Sequence, residues 1–252
     1  MIEHAPDLSS DADWDEWGRR DPYFAVITHS KFRLNEITEQ AKREFFDSGR
    51  AHVEYVLQTI QRNIDPSFAP KSILDFGCGV GRTLVPFARV ARDVVGLDVS
   101  PAMLLEAKNN CREQCVTNVT LIASDDSLST VPSEFNLVHS FIVLQHIPID
   151  RGRLIFRNLL NRVAPGGVGA IHVLYSKNNY ATTYGMGPRA TPSDTSLGSM
   201  PAQSEEPKMQ MNPYSLNELL WFMQVKGIKR FYADFTDHGG ELGVFLFFQT
   251  AI

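Results

Sequence analysis

Apolar and polar positions along the chain follow two rhythms. Short, nearly continuous apolar runs occur at Ser72–Phe76, Val94–Asp98, Val119–Ala123 and Phe135–Phe141, and stretches with helical spacing intervene. Runs of this kind are the pattern of parallel strands covered on both faces by helices. Residues 71–175 therefore predict an α/β core. Ahead of it, residues 11–25 form an arm carrying Trp14, Trp17, Tyr23 and Phe24, which equips it to pack onto the core. Helical patterns follow from about Glu36 to Asp47 and from Ala51 to Asn63. Residues 176–210 lose all periodicity and are rich in Gly, Pro, Ser, Thr and Asn, the composition of a long loop that is either a lid or disordered. The pattern resumes at Ser215–Met223, a helix whose Ser215 and Glu218 fit a capping box. Gly227–Phe235 and Leu242–Gln249 then read as a hairpin-like end.

The first apolar run leads into Gly77-Cys78-Gly79-Val80-Gly81-Arg82. Alternating glycines at the end of a strand allow a sharp turn and bring bare backbone and a helix N-terminus to a ligand. The dinucleotide fingerprint needs a glycine where Arg82 stands, so the pyrophosphate-binding version is not matched. Asp75, just before the first glycine, would repel a pyrophosphate and suits a positively charged amino group, directly or through water. S-adenosylmethionine carries such a group.

Leu74 to Gly81 resembles motif I of the class I S-adenosylmethionine-dependent methyltransferases. Three later segments fit the same family in order: Val94–Asp98 with Ser100-Pro101, Val119–Asp126, and Phe135–Pro148. The resemblance implies a seven-stranded, mostly parallel sheet with an antiparallel last strand, helices on both faces and an N-terminal helical arm. Residues 1–70 would be the arm and helices capping the cleft, and 71–252 the core, with the 176–210 insertion as lid of one compact domain. Pro165-Gly166-Gly167 would break the helix ahead of strand five. Phe235-Thr236-Asp237-His238-Gly239-Gly240 and Asp21-Pro22-Tyr23-Phe24-Ala25-Val26 are similar to segments of uncharacterised bacterial methyltransferase-like sequences.

S-adenosylmethionine is the implied cofactor. Within the loop the implied contacts are Asp75, Gly77, Gly79 and Gly81, with Cys78 providing steric room. Asp98 would accept both ribose hydroxyls, with Val99 beside it, because two hydroxyl donors need a two-oxygen acceptor. Met103 would lie at the adenine face, and Asp125, in preference to Asp126, would accept from the adenine amino group. Phe141, at the end of the fourth run, completes the expected cofactor contacts. Methyl transfer is an in-line displacement in which positioning supplies much of the acceleration, and no metal is required. A hydroxyl acceptor would be helped by a base. His146 is the first candidate and His238 the weaker, while His139 and His172 fall inside strands and read as structural. Tyr23, Tyr180 and Tyr184, with Met186 and Arg189, are candidate substrate contacts.

The net charge of −5 argues against a broad nucleic-acid footprint, and 43% hydrophobic content in 252 residues suffices for a large core. The Asn/Asp-Pro-Pro-Tyr/Phe motif of adenine and glutamine methyltransferases is replaced by Ser140-Phe141-Ile142-Val143. A small-molecule acceptor is therefore expected, with a protein or RNA acceptor, or an inert methyltransferase-like module, as alternatives. Three cysteines without metal spacing read as reduced thiols. With no membrane-length apolar run and an N-terminus unlike a signal peptide, a cytoplasmic protein is the expectation.

Overall fold

The computed structural model describes residues 9–131, 133–177 and 206–251. Helices α1 (Ser9–Arg20), α2 (Pro22–Val26) and α3 (Glu39–Asn63) precede an alternating series: β1 (Ser72–Phe76), α4 (Leu84–Val90), β2 (Asp93–Asp98), α5 (Pro101–Glu113) and β3 (Val119–Ala123). Then come β4 (Phe135–Ser140), α6 (Ile149–Asn161), β5 (Val163–Lys177), α7 (Leu216–Val225), β6 (Phe231–Asp237) and β7 (Glu241–Gln249). The seven strands form one sheet in the order β3-β2-β1-β4-β5-β7-β6. The first five are parallel, and β7 pairs antiparallel with both β5 and β6. Apolar clusters cover both faces. On β1, Ile73 belongs to the layer that includes Phe45, Ile60 and Phe87, and the adjacent Leu74 to the layer that includes Phe156 and Leu159. Both are fully buried, which is why the strand reads as a continuous apolar run.

Four local expectations are corrected. The two N-terminal helical patterns form the single helix α3, 25 residues long and capped by Thr38, whose hydroxyl accepts from the Ala41 N–H at 3.1 Å. Residues 48–50, between the two expected patterns, stay helical, and Gly49 serves close packing, since a Cβ there would run into the carbonyl of Arg82. Pro165-Gly166-Gly167 lies inside β5 instead of ahead of it. The partners of β4 jump from Phe135↔Val163 to Leu137↔Val168, so these residues bulge out of register. The expected capping box is absent: Ser215 makes no side-chain cap bond, and the Glu218 carboxylate pairs with Arg153 of α6. At the other end of α7, Gly227 (φ +85°) terminates the helix, with Ile228 N–H donating to Met223 O at 3.0 Å, so β6 starts at Phe231 and not at Gly227. The first two residues of the expected 176–210 loop continue β5, and most of the rest, including Tyr180, Tyr184, Met186 and Arg189, lies outside the described residues. No described helix is long and apolar enough to cross a membrane.

Candidate active site

At the C-terminal end of β1 the chain turns through Gly77 (φ +72°) and Gly79 (φ +51°). A Cβ on Gly77 would collide with the Val143 side chain, so that position must be bare as well as left-handed. The turn is fastened to β2: Gly77 and Cys78 donate to Leu97 O at 2.8 and 2.9 Å, and Gly79 donates to Asp98 Oδ2 at 2.8 Å. The other oxygen of Asp98 accepts from Ser100 N–H at 2.9 Å. Burial pushes the Asp98 carboxyl up to about 6, against the downward pull of these backbone bonds. Each carboxylate oxygen thus retains a lone pair for a ligand. Ser100 caps α5 through the Met103 N–H (3.1 Å) and donates to Asp15 of α1 (3.0 Å), with Pro101 in the first turn of the helix.

A cavity of about 600 Å³ lies over these strand ends. Its floor includes Asp75, Gly77, Cys78, Gly79, Asp98 and Val99, and Met103, Asp125, Asp126 and Phe141 line its sides. The roof comes from the N-terminal segment: Ser10, Asp11 and Trp14 of α1, with Ala25, Val26 and Thr28. One buried arginine fastens that roof. Arg151 of α6 holds Asp126 through Nε and Nη2, both at 2.8 Å, and Asp11 through Nη1 and Nη2, both at 2.9 Å.

The expected site residues divide into those at the cavity and those away from it. Gly81 faces Ala107 and Val85 and does not line the cavity. Tyr23 is buried under α5, its hydroxyl shared between Glu106 (2.6 Å) and Asn110 (2.8 Å), so it anchors α2 instead of meeting a substrate. His238 is exposed outside the cavity, its ring 5.5 Å from that of His172. Asp125 and Asp126 reach the cavity, but the carboxylate of Asp125 accepts from the Ser127 and Ser129 hydroxyls, at 2.5 and 2.8 Å, and that of Asp126 is held by Arg151. Buried Asp75 is likewise engaged: it accepts from the Thr83 hydroxyl at 2.8 Å and from His139 Nδ1–H at 2.7 Å. The opposite nitrogen of His139 lies 2.9 Å from His52 Nε2, so His52 is the donor in that bond. Burial, with His139 and Arg82 nearby, drives His52 down to about 2 and keeps it neutral.

His146 does line the cavity, beside Trp14, with ring centroids 4.9 Å apart. Its Nδ1–H donates to Gln210 O at 2.7 Å, which leaves Nε2 as a lone-pair acceptor. Burial lowers its pKa to about 4, so it is neutral at neutral pH. Sequence reasoning missed His52, Trp14, Arg82 and Arg151 as members of this site. Only the spacing of Trp14 on the aromatic arm offered a signal for any of them, since His52 and Arg151 meet partners far away in sequence and the turn of Arg82 toward the cavity has no local pattern.

Residues 73–167 match the family model for the methyltransferase domain. Magnesium protoporphyrin IX methyltransferase from Synechocystis PCC 6803, crystallised with S-adenosylhomocysteine, superimposes over 98% of both chains with a TM-score of 0.63 at 16% identity. This chain has the class I methyltransferase fold. This chain is 30% identical to the ubiquinone biosynthesis O-methyltransferase of Psychrobacter cryohalolentis over 158 residues, covering 61% of this chain and 56% of that protein. It is 29% identical over 112 residues to the 23S rRNA (uracil(1939)-C(5))-methyltransferase RlmD of Burkholderia pseudomallei, covering 44% of this chain and 24% of that one. The chain therefore spans about a quarter of the RNA enzyme and about half of the ubiquinone enzyme.

Proposed function

We propose that this methyltransferase uses S-adenosylmethionine to methylate an oxygen or nitrogen of a small-molecule acceptor. The observation that carries this reading is the roofed cavity in which Asp98, the bare glycine turn and His146 meet. The residues fit the cofactor. Asp98 keeps free lone pairs for two ribose hydroxyls, Met103 offers an apolar wall, and the lining holds five aspartates, two of them paired with the single cation of Arg151, which suits a ligand bearing cationic groups. When bound, S-adenosylmethionine supplies an electrophilic methyl group on a sulfonium.

The chain's own part is to bind, orient and exclude water. Trp14 and the rest of α1 close the cavity from above. His146 Nε2, with its tautomer set by Gln210, is placed to take a proton from an acceptor hydroxyl. The roof and the net charge of −5 favour a small acceptor over an open RNA surface, although an RNA methyltransferase stands among the relatives.

Methyl-labelled S-adenosylmethionine incubated with the full chain and fractionated cell extract tests the proposal. Label is expected in the small-molecule fraction and should be lost with Asp98→Ala, which removes a charged acceptor from both hydroxyls. Label in RNA or protein would replace the acceptor class. Failure to bind S-adenosylhomocysteine would sink the cofactor assignment.

A further inference from the structure

The cavity is rich in carboxylates, and its two arginines differ in state. Arg151 is fully engaged by Asp11 and Asp126. Arg82, just beyond the last glycine of the turn, also lines the cavity, yet among the described residues its guanidinium meets no carboxylate and no carbonyl. Its nearest charged neighbour is Asp75, whose two oxygens are already taken by His139 and Thr83. The side chain is half-buried, and burial lowers its pKa against the upward pull of Asp75, so its charge is held at a desolvation penalty that no direct hydrogen bond from a described residue offsets. Gly49 of α3 lies against the Arg82 carbonyl, where any larger residue would run into the backbone that carries this side chain.

The backbone leaves little else for an anion. The N–H groups of Gly77, Cys78, Gly79 and Gly81 donate to Leu97 O, Leu97 O, Asp98 Oδ2 and Cys78 O, so most donors of the glycine turn are already used within the fold. Arg82 stands beside these used donors as a charged side-chain donor for a ligand anion. The geometry points to Arg82 as the carboxylate-binding group of the cavity, pairing through its planar fork with a carboxylate of a bound ligand. This rests on the methyltransferase reading above, which offers two sources: the amino-acid end of the cofactor, or a carboxylate on the acceptor.

Calorimetry on the full chain with S-adenosylhomocysteine and with its decarboxylated analogue separates the sources, using wild type, Arg82→Gln and Arg82→Lys. If the cofactor supplies the carboxylate, Arg82→Gln weakens S-adenosylhomocysteine by about 10- to 100-fold and leaves the decarboxylated analogue unchanged. Arg82→Lys, which keeps the charge without the fork, falls between. The unchanged analogue also shows that the variant is folded. If the acceptor supplies it, both nucleosides bind all three proteins alike. Labelled methyl transfer into the extract components that an anion exchanger retains at neutral pH then falls by about 10- to 100-fold in Arg82→Gln. Unchanged nucleoside affinities without Arg82-dependent transfer into that retained fraction overturn the inference. A wild-type chain that binds neither nucleoside overturns instead the methyltransferase reading beneath it.

Discussion

At Asp98 the fold and its expected ligand make opposing demands on one carboxyl. Burial holds its pKa up to about 6, against about 3.9 in an unfolded chain, so the folded protein binds this proton more tightly. The stability contributed by the protonated form is complete below about pH 4 and is lost as pH rises through 6, leaving the ionised form to cost the ligand-free fold about 2–3 kcal/mol. Asp98→Asn, which sets an amide N–H against one of the two backbone donors, should weaken S-adenosylhomocysteine at least ~10-fold. Wild-type affinity should fall as pH drops below 6, because the protonated group loses an acceptor; affinity that stays flat from pH 8 to 5 would remove Asp98 from the ribose site. Asp98 was legible because an acid at the end of the second strand has a simple spacing signature. Asp75 was legible as a cavity residue but not in its engagement, since its partners His139 and Thr83, and His52 behind them, arrive from β4, the glycine turn and α3.

Among the elements, α1 has the clearest energetic handle. It is a polar helix, and its contact with the site runs through Asp11, Trp14 and Asp15. Arg151 is 8% exposed and joins Asp11 to Asp126, so removing it would leave two carboxylates facing each other with no cation between them. Breaking a fully buried pair costs about 3–5 kcal/mol; with both acids about a quarter exposed, Arg151→Met should cost about 2–3 kcal/mol. Trypsin should then cut sooner after Arg19 or Arg20, and the triple variant with Asp11→Asn and Asp126→Asn should recover most of the loss. Unaltered protection of α1 in Arg151→Met would show that other contacts hold the roof. The existence and order of the elements were readable from periodicity, whereas their junctions were less so. Residues 48–50 and Pro165-Gly166-Gly167 stand between expected elements in the sequence, but the first lie inside a helix, with Gly49 as a close-packing point, and the second inside a strand as a bulge.

For the whole molecule, acid stability follows from three buried histidines. His146, His172 and His52 are lowered to about 4, 3 and 2, chiefly by burial, against about 6.5 when unfolded. Their folded forms refuse protons that the unfolded chain takes up, so the stability they contribute is complete above about pH 6.5 and is lost as pH falls through 4. Asp98 opposes them by one proton between about pH 6 and 4. The net slope should be about 2–4 kcal/mol per pH unit in that window, seen as a falling urea midpoint from pH 7 to 5. A midpoint that holds or rises on acidification would show that these rings are not neutral in the fold. The same burial separates what was readable from what was not. Strand and helix periods, the glycine turn and the acids at strand ends are local properties, because covering a parallel sheet on both faces demands continuous apolar runs and a turn against a ligand demands bare backbone. On these the sequence by itself determined the α/β class, the position of the cleft and the place of Asp98. Only the tertiary structure decided that Tyr23 is an anchor, that Asp125 and Asp126 bond to hydroxyls and to Arg151, and that Arg82 faces the cavity with no direct hydrogen bond from a described residue. Tyr23 and Asp126 depend on which distant side chain reaches them, and Asp125 on how its own turn folds Ser127 and Ser129 back onto it; neither leaves a period in the sequence.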